Sequence, residues 1–430
     1  MEIVVSPGGV WDTTIAVPGD KSLSHRALMF AAMAEGQSAV RGLSPGADVR
    51  STARCLRQLG ASFSKLDADL VKCRGWGKAG LREPQTVLNC GNSGTSMRLL
   101  AGMCSSRSGL KILTGDKSLS ARPMGRIIEP LTHMGAQVRA RQGDRLPPLV
   151  VLGARLKAID YALPVASAQV KSCVMLAALA AEGTTRLREL APTRDHTERM
   201  LASLGVPVRQ NGDWLEVDPV ECLPNFEFTV PGDVSSAAFL LAATLVTPGA
   251  HTVVQGVGLN PGRTGFLDIL KRMGARLEVR QTGQEMGEPV GEVEAFGSEL
   301  KAVEVGPDEV PGAIDELPLL AVVACQAQGI TRLHGAEELR HKESDRIAAT
   351  VGELARMGAR ISEQPDGFTI EGPCQLTGAV VGCHHDHRLE MGLAVAALSA
   401  RGETRLKGAG WAAVSFPNFW ELFPGKSSQR

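Results

Sequence analysis

The chain of 430 residues shows no excess of either charge, since 46 Lys and Arg balance 46 Asp and Glu. Nucleic-acid coats and binders of acidic membrane surfaces usually carry a basic excess, so neither is expected and any cationic character must be local. The nine cysteines, at 55, 73, 90, 104, 173, 222, 325, 374 and 383, are odd in number, scattered and without a CxxC pair. They predict neither a disulfide frame nor a zinc knuckle and point to a reducing compartment. No apolar run reaches the roughly 18 residues of a membrane span. Met1-Glu-Ile-Val-Val5 reads as a strand, not as a basic and then apolar leader. The cytoplasm is the simplest location. There is no Walker loop, and no GxGxxG is expected to follow a strand, so neither a nucleoside triphosphatase nor a dinucleotide enzyme is anticipated.

What is present is a repeat. Six apolar helix-like runs stop at Gly36, Gly109, Gly183, Gly249, Gly329 and Gly402, separated by 73, 74, 66, 80 and 73 residues. Between them, charged amphipathic helices end at Leu59-Gly60, Met134-Gly135, Leu204-Gly205, Met273-Gly274 and Met357-Gly358, where a glycine suits a left-handed cap. The order β, α, β, α, β, β is expected in each unit, with the apolar helix inside and the sheets outside. The fold class is therefore α/β, an inverted barrel of six βαβαββ units. Chain length and the 43% hydrophobic content suit two domains with their own cores. Pro-Gly-Asp occurs at 18–20 and at 231–233, each time before an apolar helix. These are read as hinges, giving a domain over 20–231 inserted into one formed by 1–19 and 232–430. Each domain would hold three units, with the N-terminal strand completing the second.

The helix openings carry anion-binding and proton-transfer residues where backbone N–H groups lack partners. Lys21, Ser22 and Arg26 follow the first Pro-Gly turn, and an anion is expected there. Asn89-Cys-Gly-Asn-Ser-Gly-Thr-Ser-Met-Arg98 is a glycine-rich loop entering a helix. Ser167, Gln169 and Lys171 read as hydroxyl, amide and ammonium donors at the third opening, whereas Ser235-Ser236 at the fourth reads as capping alone. Asp315-Glu316 opens the fifth helix, and Lys342, Glu343 and Arg346 cluster at the next helix start, which supplies acid and base candidates. His384-His-Asp-His-Arg388 places His387 and Arg388 at the sixth opening, and its successive histidines are poorly spaced for a single metal ion. Together with Arg122 and Arg194, these residues are expected to line a cleft between two domains that takes small phosphorylated or carboxylated substrates.

Pro18-Gly-Asp-Lys-Ser-Leu-Ser-His-Arg26, Gly91-Asn-Ser-Gly-Thr95, Ala121-Arg-Pro-Met124, Ser167-Ala-Gln169, Thr193-Arg-Asp-His196, Glu338 to Arg346 and Asp386-His-Arg388 resemble the 5-enolpyruvylshikimate-3-phosphate synthase family, in order and along the whole chain. The resemblance implies transfer of the carboxyvinyl group of phosphoenolpyruvate to the 5-hydroxyl of shikimate 3-phosphate, without a metal or other cofactor. It implies that Lys21 touches both substrates, that Ser22 and Arg26 hold the shikimate carboxylate, and that Gly94, Arg122, Arg346 and Arg388 grip phosphoenolpyruvate. Ser167, Ala168, Gln169 and Arg194 would meet shikimate 3-phosphate, and Asn92, Thr95 and His387 are further binding candidates. Asp315 would accept the hydroxyl proton, and Glu343 with Lys342 would protonate the methylene carbon. The motifs at 167–171 and 193–196 look like a variant branch of the family, whereas Gly94 matches the glyphosate-sensitive one. Val414 stands where many members have a lysine, so one phosphate contact is absent or supplied elsewhere.

Two other readings are set against this one. The sister family, which uses UDP-N-acetylglucosamine as acceptor, places a cysteine in the loop that reads Thr114-Gly-Asp-Lys-Ser-Leu-Ser-Ala-Arg-Pro123 here and usually has Lys-Asn at the first helix. A non-catalytic repeat scaffold has no reason to combine Asp315, Lys342, Glu343 and three arginines. The expected partners are small molecules alone, with neither nucleic acid nor membrane, and a monomer is expected.

Overall fold

The computed structural model describes residues 1–425 and 427–429. The chain divides into two compact units: an inserted unit, Gly19–Pro231 with Gln284–Glu288, and a discontinuous unit formed by Met1–Pro18, Gly232–Gly283 and the chain from Pro289 onward. Gln284–Glu288, the tip of a long hairpin, groups with the inserted unit, where Glu288 Oε1 lies 2.8 Å from His196 Nδ1. Turn signals in the sequence carry no trace of that contact.

The inserted unit is built on α1 (Lys21–Met33), α2 (Ala47–Gln58), α3 (Gly94–Ser105), α4 (Gly125–His133), α5 (Ala168–Ala178) and α6 (His196–Ser203). The discontinuous unit is built on α7 (Val234–Leu245), α8 (Gly265–Arg272), α9 (Leu317–Ala324), α10 (Arg346–Arg356) and α11 (His387–Leu398). Every residue of α7, α9 and α11 is buried. A helix without a polar stripe has no face to give to water, so it ends inside. The amphipathic helices flank this centre. In α8, for example, Phe266, Leu267, Ile269 and Leu270 are buried while Asp268, Lys271 and Arg272 are exposed. Each unit has its own apolar core.

Among the described residues there are six four-stranded sheets. In one, Leu88–Asn89 and Leu110–Thr114 pair in parallel across α3, and Leu146–Leu152 and then Gln137–Ala140 extend the sheet antiparallel. This is one βαβαββ repeat. At the two chain crossovers the leading strand is exchanged. Asp12–Ala16 pairs in parallel with His251–Gly258, and Glu227–Thr229 with Gln37–Arg41. The sixth repeat borrows Glu2–Val5, which runs antiparallel to Thr404–Lys407.

Both glycine series adopt the left-handed region, with φ between 80° and 119°. Gly60, Gly135, Gly205, Gly274 and Gly358 follow the last turn of an amphipathic helix, as expected. The other six stand three to five residues beyond the apolar helices, at the entry to the following strand, so they turn the chain into the sheet and do not cap the helix. Gly75-Trp-Gly77-Lys-Ala-Gly80 corrects a second expectation, because it has GxGxxG spacing and directly follows a strand, Leu70–Arg74. That strand is antiparallel to both neighbours and leads only into a short 3-10 turn, Gly77–Ala79. No α-helix N-terminus is there to receive a pyrophosphate. Instead the glycines serve close packing: a Cβ on Gly75 would meet the Ala34 carbonyl oxygen at 2.3 Å. All nine cysteines are free. No helix among the described residues is long and apolar enough to cross a membrane.

Candidate active site

In the inserted unit the N-termini of α1, α3 and α5 carry the expected residues. Asp20 caps α1 by accepting from the Leu23 N–H at 2.8 Å, and Lys21 Nζ lies 3.4 Å from Asp48 Oδ2. Arg26 lies farther along α1, in its second turn, and is only 4% exposed. Its guanidinium donates to Thr197 Oγ1 at 2.7 Å, to Ser172 Oγ at 2.8 Å and to the Ser22 carbonyl at 3.0 Å. These are all neutral oxygens, and among the described residues no carboxylate pairs with it. Burial lowers the Arg26 pKa to about 10, with Glu198, Asp20 and Glu288 opposing and Arg194 adding to the shift. The group still carries its charge at neutral pH. A buried cation on neutral dipoles is a place where a carboxylate ligand gains most.

Around α3, Ser93 caps by accepting from the Ser96 N–H at 3.1 Å. Asn92 Oδ1 accepts from Arg122 Nη2 at 2.8 Å, and its amide donates to Asp116 at 2.7 Å. Gly94 opens the helix, and a Cβ there would stand 3.0 Å from Arg98 Nη1 and 3.5 Å from Arg122 Nη1. Gln169 on α5 donates to Thr95 Oγ1 at 3.0 Å and accepts a short hydrogen bond from Arg98. Ser167 caps α5 over Ala168, accepting from the Val170 N–H at 3.4 Å. Arg194 is half-buried in the loop before α6. The unit thus brings together Lys21, Ser22, Arg26 and Arg194, and separately Asn92, Gly94, Thr95, Arg122 and Gln169. Lys171 departs from expectation. It is 1% exposed and locked between Glu189 at 2.8 Å and Glu198 at 2.6 Å, so its ammonium is not offered at the helix opening. Burial would lower its pKa, but the two carboxylates outweigh burial and raise it.

In the discontinuous unit all three core helices open on acids: Asp233, Glu316 and Asp386. Asp386 caps α11 by accepting from the Arg388 N–H at 2.9 Å. It also takes Arg346 through Nε at 2.8 Å and Nη2 at 3.2 Å. Glu343 lies 2.8 Å from the same Nη2, and Asp315 lies 3.8 Å from Nη1. Burial pulls the Arg346 pKa down, but Asp386, Glu343 and Asp315 outweigh it and raise it. Arg388 Nη1 donates to Glu316 at 2.9 Å, and its Nη2 is 4.0 Å from Asp315. Lys342 and Glu343 lie in the loop between the 3-10 turn Glu337–His341 and α10, before the helix itself begins at Arg346. Part of Lys342 reaches solvent, yet desolvation lowers its pKa, against Asp315 and Glu338. His387 is buried at the first position of α11. His384 pairs with Glu353 at 2.6 Å, and His385 packs edge-on against Trp411, so the two point to different neighbours. Val414 ends the short turn Ala412–Val414, which the buried Glu390 anchors by accepting from three backbone N–H groups and the Trp420 indole.

The arginines at these helix openings are therefore already paired. Asp233, Asp315, Glu316, Glu343 and Asp386 face Arg263, Lys342, Arg346 and Arg388, five carboxylates to four cations. Charges at these helix openings are therefore nearly balanced. Ser235 is not the expected cap, a role that Asp233 takes; its hydroxyl instead donates to Glu316 and accepts from Arg263 Nη2 at 2.6 Å. Arg263 was missed, although a signal exists. It precedes an amphipathic helix as Arg122 and Arg194 do, and Arg346 opens one. Asp48, at the same place in the first repeat, and the pair Ser172 and Thr197 behind Arg26 had no sequence signal.

The model of the family described as EPSP synthase (3-phosphoshikimate 1-carboxyvinyltransferase) matches residues 5–423. A 3-phosphoshikimate 1-carboxyvinyltransferase of Gloeobacter violaceus is 49% identical over 418 residues, 97% of each chain. One from Synechococcus sp. (strain JA-3-3Ab) is 47% identical over 97% of this chain and 95% of its own. Among solved structures, an EPSP synthase from Acinetobacter baumannii superposes with a TM-score of 0.90 at 42% identity, covering all of both chains. The enolpyruvyl transferase NikO of Streptomyces tendae has a TM-score of 0.81 at 18% identity over 99% of this chain and 98% of its own, a likeness of fold.

Proposed function

We propose that this chain, which belongs to the EPSP synthase family, transfers the carboxyvinyl group of phosphoenolpyruvate to the 5-hydroxyl of shikimate 3-phosphate and releases phosphate. Beyond the family match, the observation that carries this reading is Arg26, a buried guanidinium whose hydrogen-bond partners among the described residues are all neutral, as a site for the shikimate carboxylate requires. Lys21, Ser22, Ser167, Ala168, Gln169 and Arg194 complete the proposed binding set for shikimate 3-phosphate. Asn92, Gly94, Thr95, Arg122, Arg346, His387 and Arg388, with Lys21, form the proposed set for phosphoenolpyruvate.

In the addition step Asp315 takes the 5-hydroxyl proton, the freed oxygen bonds to C2 of phosphoenolpyruvate, and Glu343 delivers a proton to the methylene carbon. The product is a tetrahedral ketal. In the elimination Glu343 recovers a proton from the new methyl group, the bond from C2 to the phosphate oxygen breaks, and Asp315 returns its proton to the departing phosphate. Glu343 sits beside Lys342 and Arg346, so its charged form is supported after it gives up the proton. A lysine whose pKa is lowered by burial is suited to share that proton.

The test is phosphate release from phosphoenolpyruvate with either shikimate 3-phosphate or UDP-N-acetylglucosamine as acceptor. Release with the first alone is expected. Release with the second alone, or with neither, would end the reading.

A further inference from the structure

A buried polar network outside the proposed reacting groups lies at the openings of α7, α9 and α11. Arg263, 5% exposed, donates through Nη2 to Asp233 at 2.9 Å and to Ser235 at 2.6 Å. Ser235, 3% exposed, passes its own proton to Glu316 in a short hydrogen bond. Glu316, 2% exposed, accepts Arg388 at 2.9 Å. The order is Asp233, Arg263, Ser235, Glu316, Arg388, and it ties the loop before α8 and the N-termini of α7 and α9 to that of α11.

The two arginines at the far end are held differently. Arg346 is gripped by Asp386 through two nitrogens and by Glu343 as well, so its plane is set. Among the described residues the Arg388 guanidinium makes one hydrogen bond, from Nη1 to Glu316, with Asp315 no closer than 4.0 Å. A guanidinium on a single hinge can swing, and only the position of that acceptor limits the swing. Glu316 in turn is held on the same oxygen by Ser235, while its other oxygen is buried without a hydrogen-bond partner among the described residues. The placement of that one oxygen thus rests on a single hydroxyl, whose own direction Arg263 sets by occupying its lone pair.

We propose that Arg263, Ser235 and Glu316 are positioning residues that aim Arg388 at phosphoenolpyruvate. This rests on the reading that Arg388 holds that substrate. Removing the Ser235 hydroxyl frees Glu316 to rotate and takes Arg388 with it, while the proposed binding set for shikimate 3-phosphate, Asp315 apart, lies in the other unit and is left intact.

The experiment is steady-state kinetics on Ser235→Ala, Arg388→Lys and the double variant, with unfolding midpoints as a check of folding. In Ser235→Ala the KM for phosphoenolpyruvate is expected to rise about tenfold, the loss of one hydrogen bond to a charged group, while that for shikimate 3-phosphate stays within about twofold. Arg388→Lys should raise the same KM, and the double variant should be less impaired than the product of the two single effects. If Arg388→Lys leaves the KM for phosphoenolpyruvate unchanged, the reading of Arg388 falls. If it raises that KM but Ser235→Ala changes neither constant, or both equally, or the effects simply multiply, the relay is overturned. Should Ser235→Ala not fold, Arg263→Gln carries the same expectation of a split between the two constants.

Discussion

Arg26 shows what one side chain trades. Its charge is buried against two hydroxyls and a carbonyl, an arrangement that leaves part of its desolvation uncompensated. Ser172 and Thr197 also bond each other at 2.7 Å, so both remain satisfied if the guanidinium is removed. Arg26→Met should therefore leave the unfolding temperature unchanged or raise it, while KM for shikimate 3-phosphate rises by at least about tenfold, the worth of a charged hydrogen bond. Thermal unfolding and substrate titration on the same preparation check both halves. A variant that unfolds earlier than the parent would show Arg26 to be structural. The contrast with Lys171 is instructive, since both are buried cations near the start of an apolar helix. Glu189 and Glu198 pair directly with one, whereas among the described residues no carboxylate pairs with the other. Sequence identity alone could not separate them, because both glutamates lie 18 or more residues farther along the chain.

At the scale of the element, the helix openings behave as the capping rules require. Asp20, Ser93, Ser167, Asp233 and Asp386 each accept a backbone N–H of the first turn, while Glu316 turns instead to Ser235 and Arg388. A hydroxyl chain also joins three helices of the inserted unit: His25 Nδ1 lies 2.7 Å from Thr52 Oγ1, Thr52 lies 2.6 Å from Ser96 Oγ, and Ser96 donates to Ser93. Burial first, then Lys21 and Arg26, push the His25 pKa well below 6.5, so the chain is built on neutral imidazole. A histidine whose folded pKa is depressed binds fewer protons folded than unfolded, so its contribution to stability is lost as pH falls below the ordinary value. Between about pH 7.5 and about pH 5.5 the protein should lose more unfolding free energy than His25→Asn, whose amide can reach Thr52. Equal losses in denaturant titrations at the two pH values would remove His25 from that role.

For the whole molecule, the six repeats distribute the chemistry unevenly. In the inserted unit Arg26 pairs with no carboxylate among the described residues, whereas the discontinuous unit balances the arginines at its helix openings and holds Asp315, Lys342 and Glu343 among them. Turnover should accordingly depend on Glu343 more than binding does. Glu343→Gln should bind shikimate 3-phosphate normally by calorimetry and lose about two to four orders of magnitude in phosphate release, the usual scale for a general acid. Near-normal turnover would take Glu343 out of the proton transfer.

Much of this was legible beforehand. The repeat, the apolar and amphipathic helices, the acidic and hydroxyl openings and the family motifs all depend on residues within one or two turns of each other, and such short-range physics is written along the chain. The misreadings involve long range: Lys171 was given to a ligand, Ser235 to capping alone, Arg263 was passed over, and a glycine triplet beside an antiparallel strand was not noticed. Arg26 meets Thr197 across 171 residues, Ser235 meets Glu316 across 81, and Glu316 meets Arg388 across 72. The sequence by itself determined which helices must be buried, where they begin and which groups stand at their openings, because burial and capping follow local pattern. Tertiary structure alone decided which of those charges neutralise one another and which are left for a ligand, because a charge is paired by whatever packing brings within a few ångströms of it.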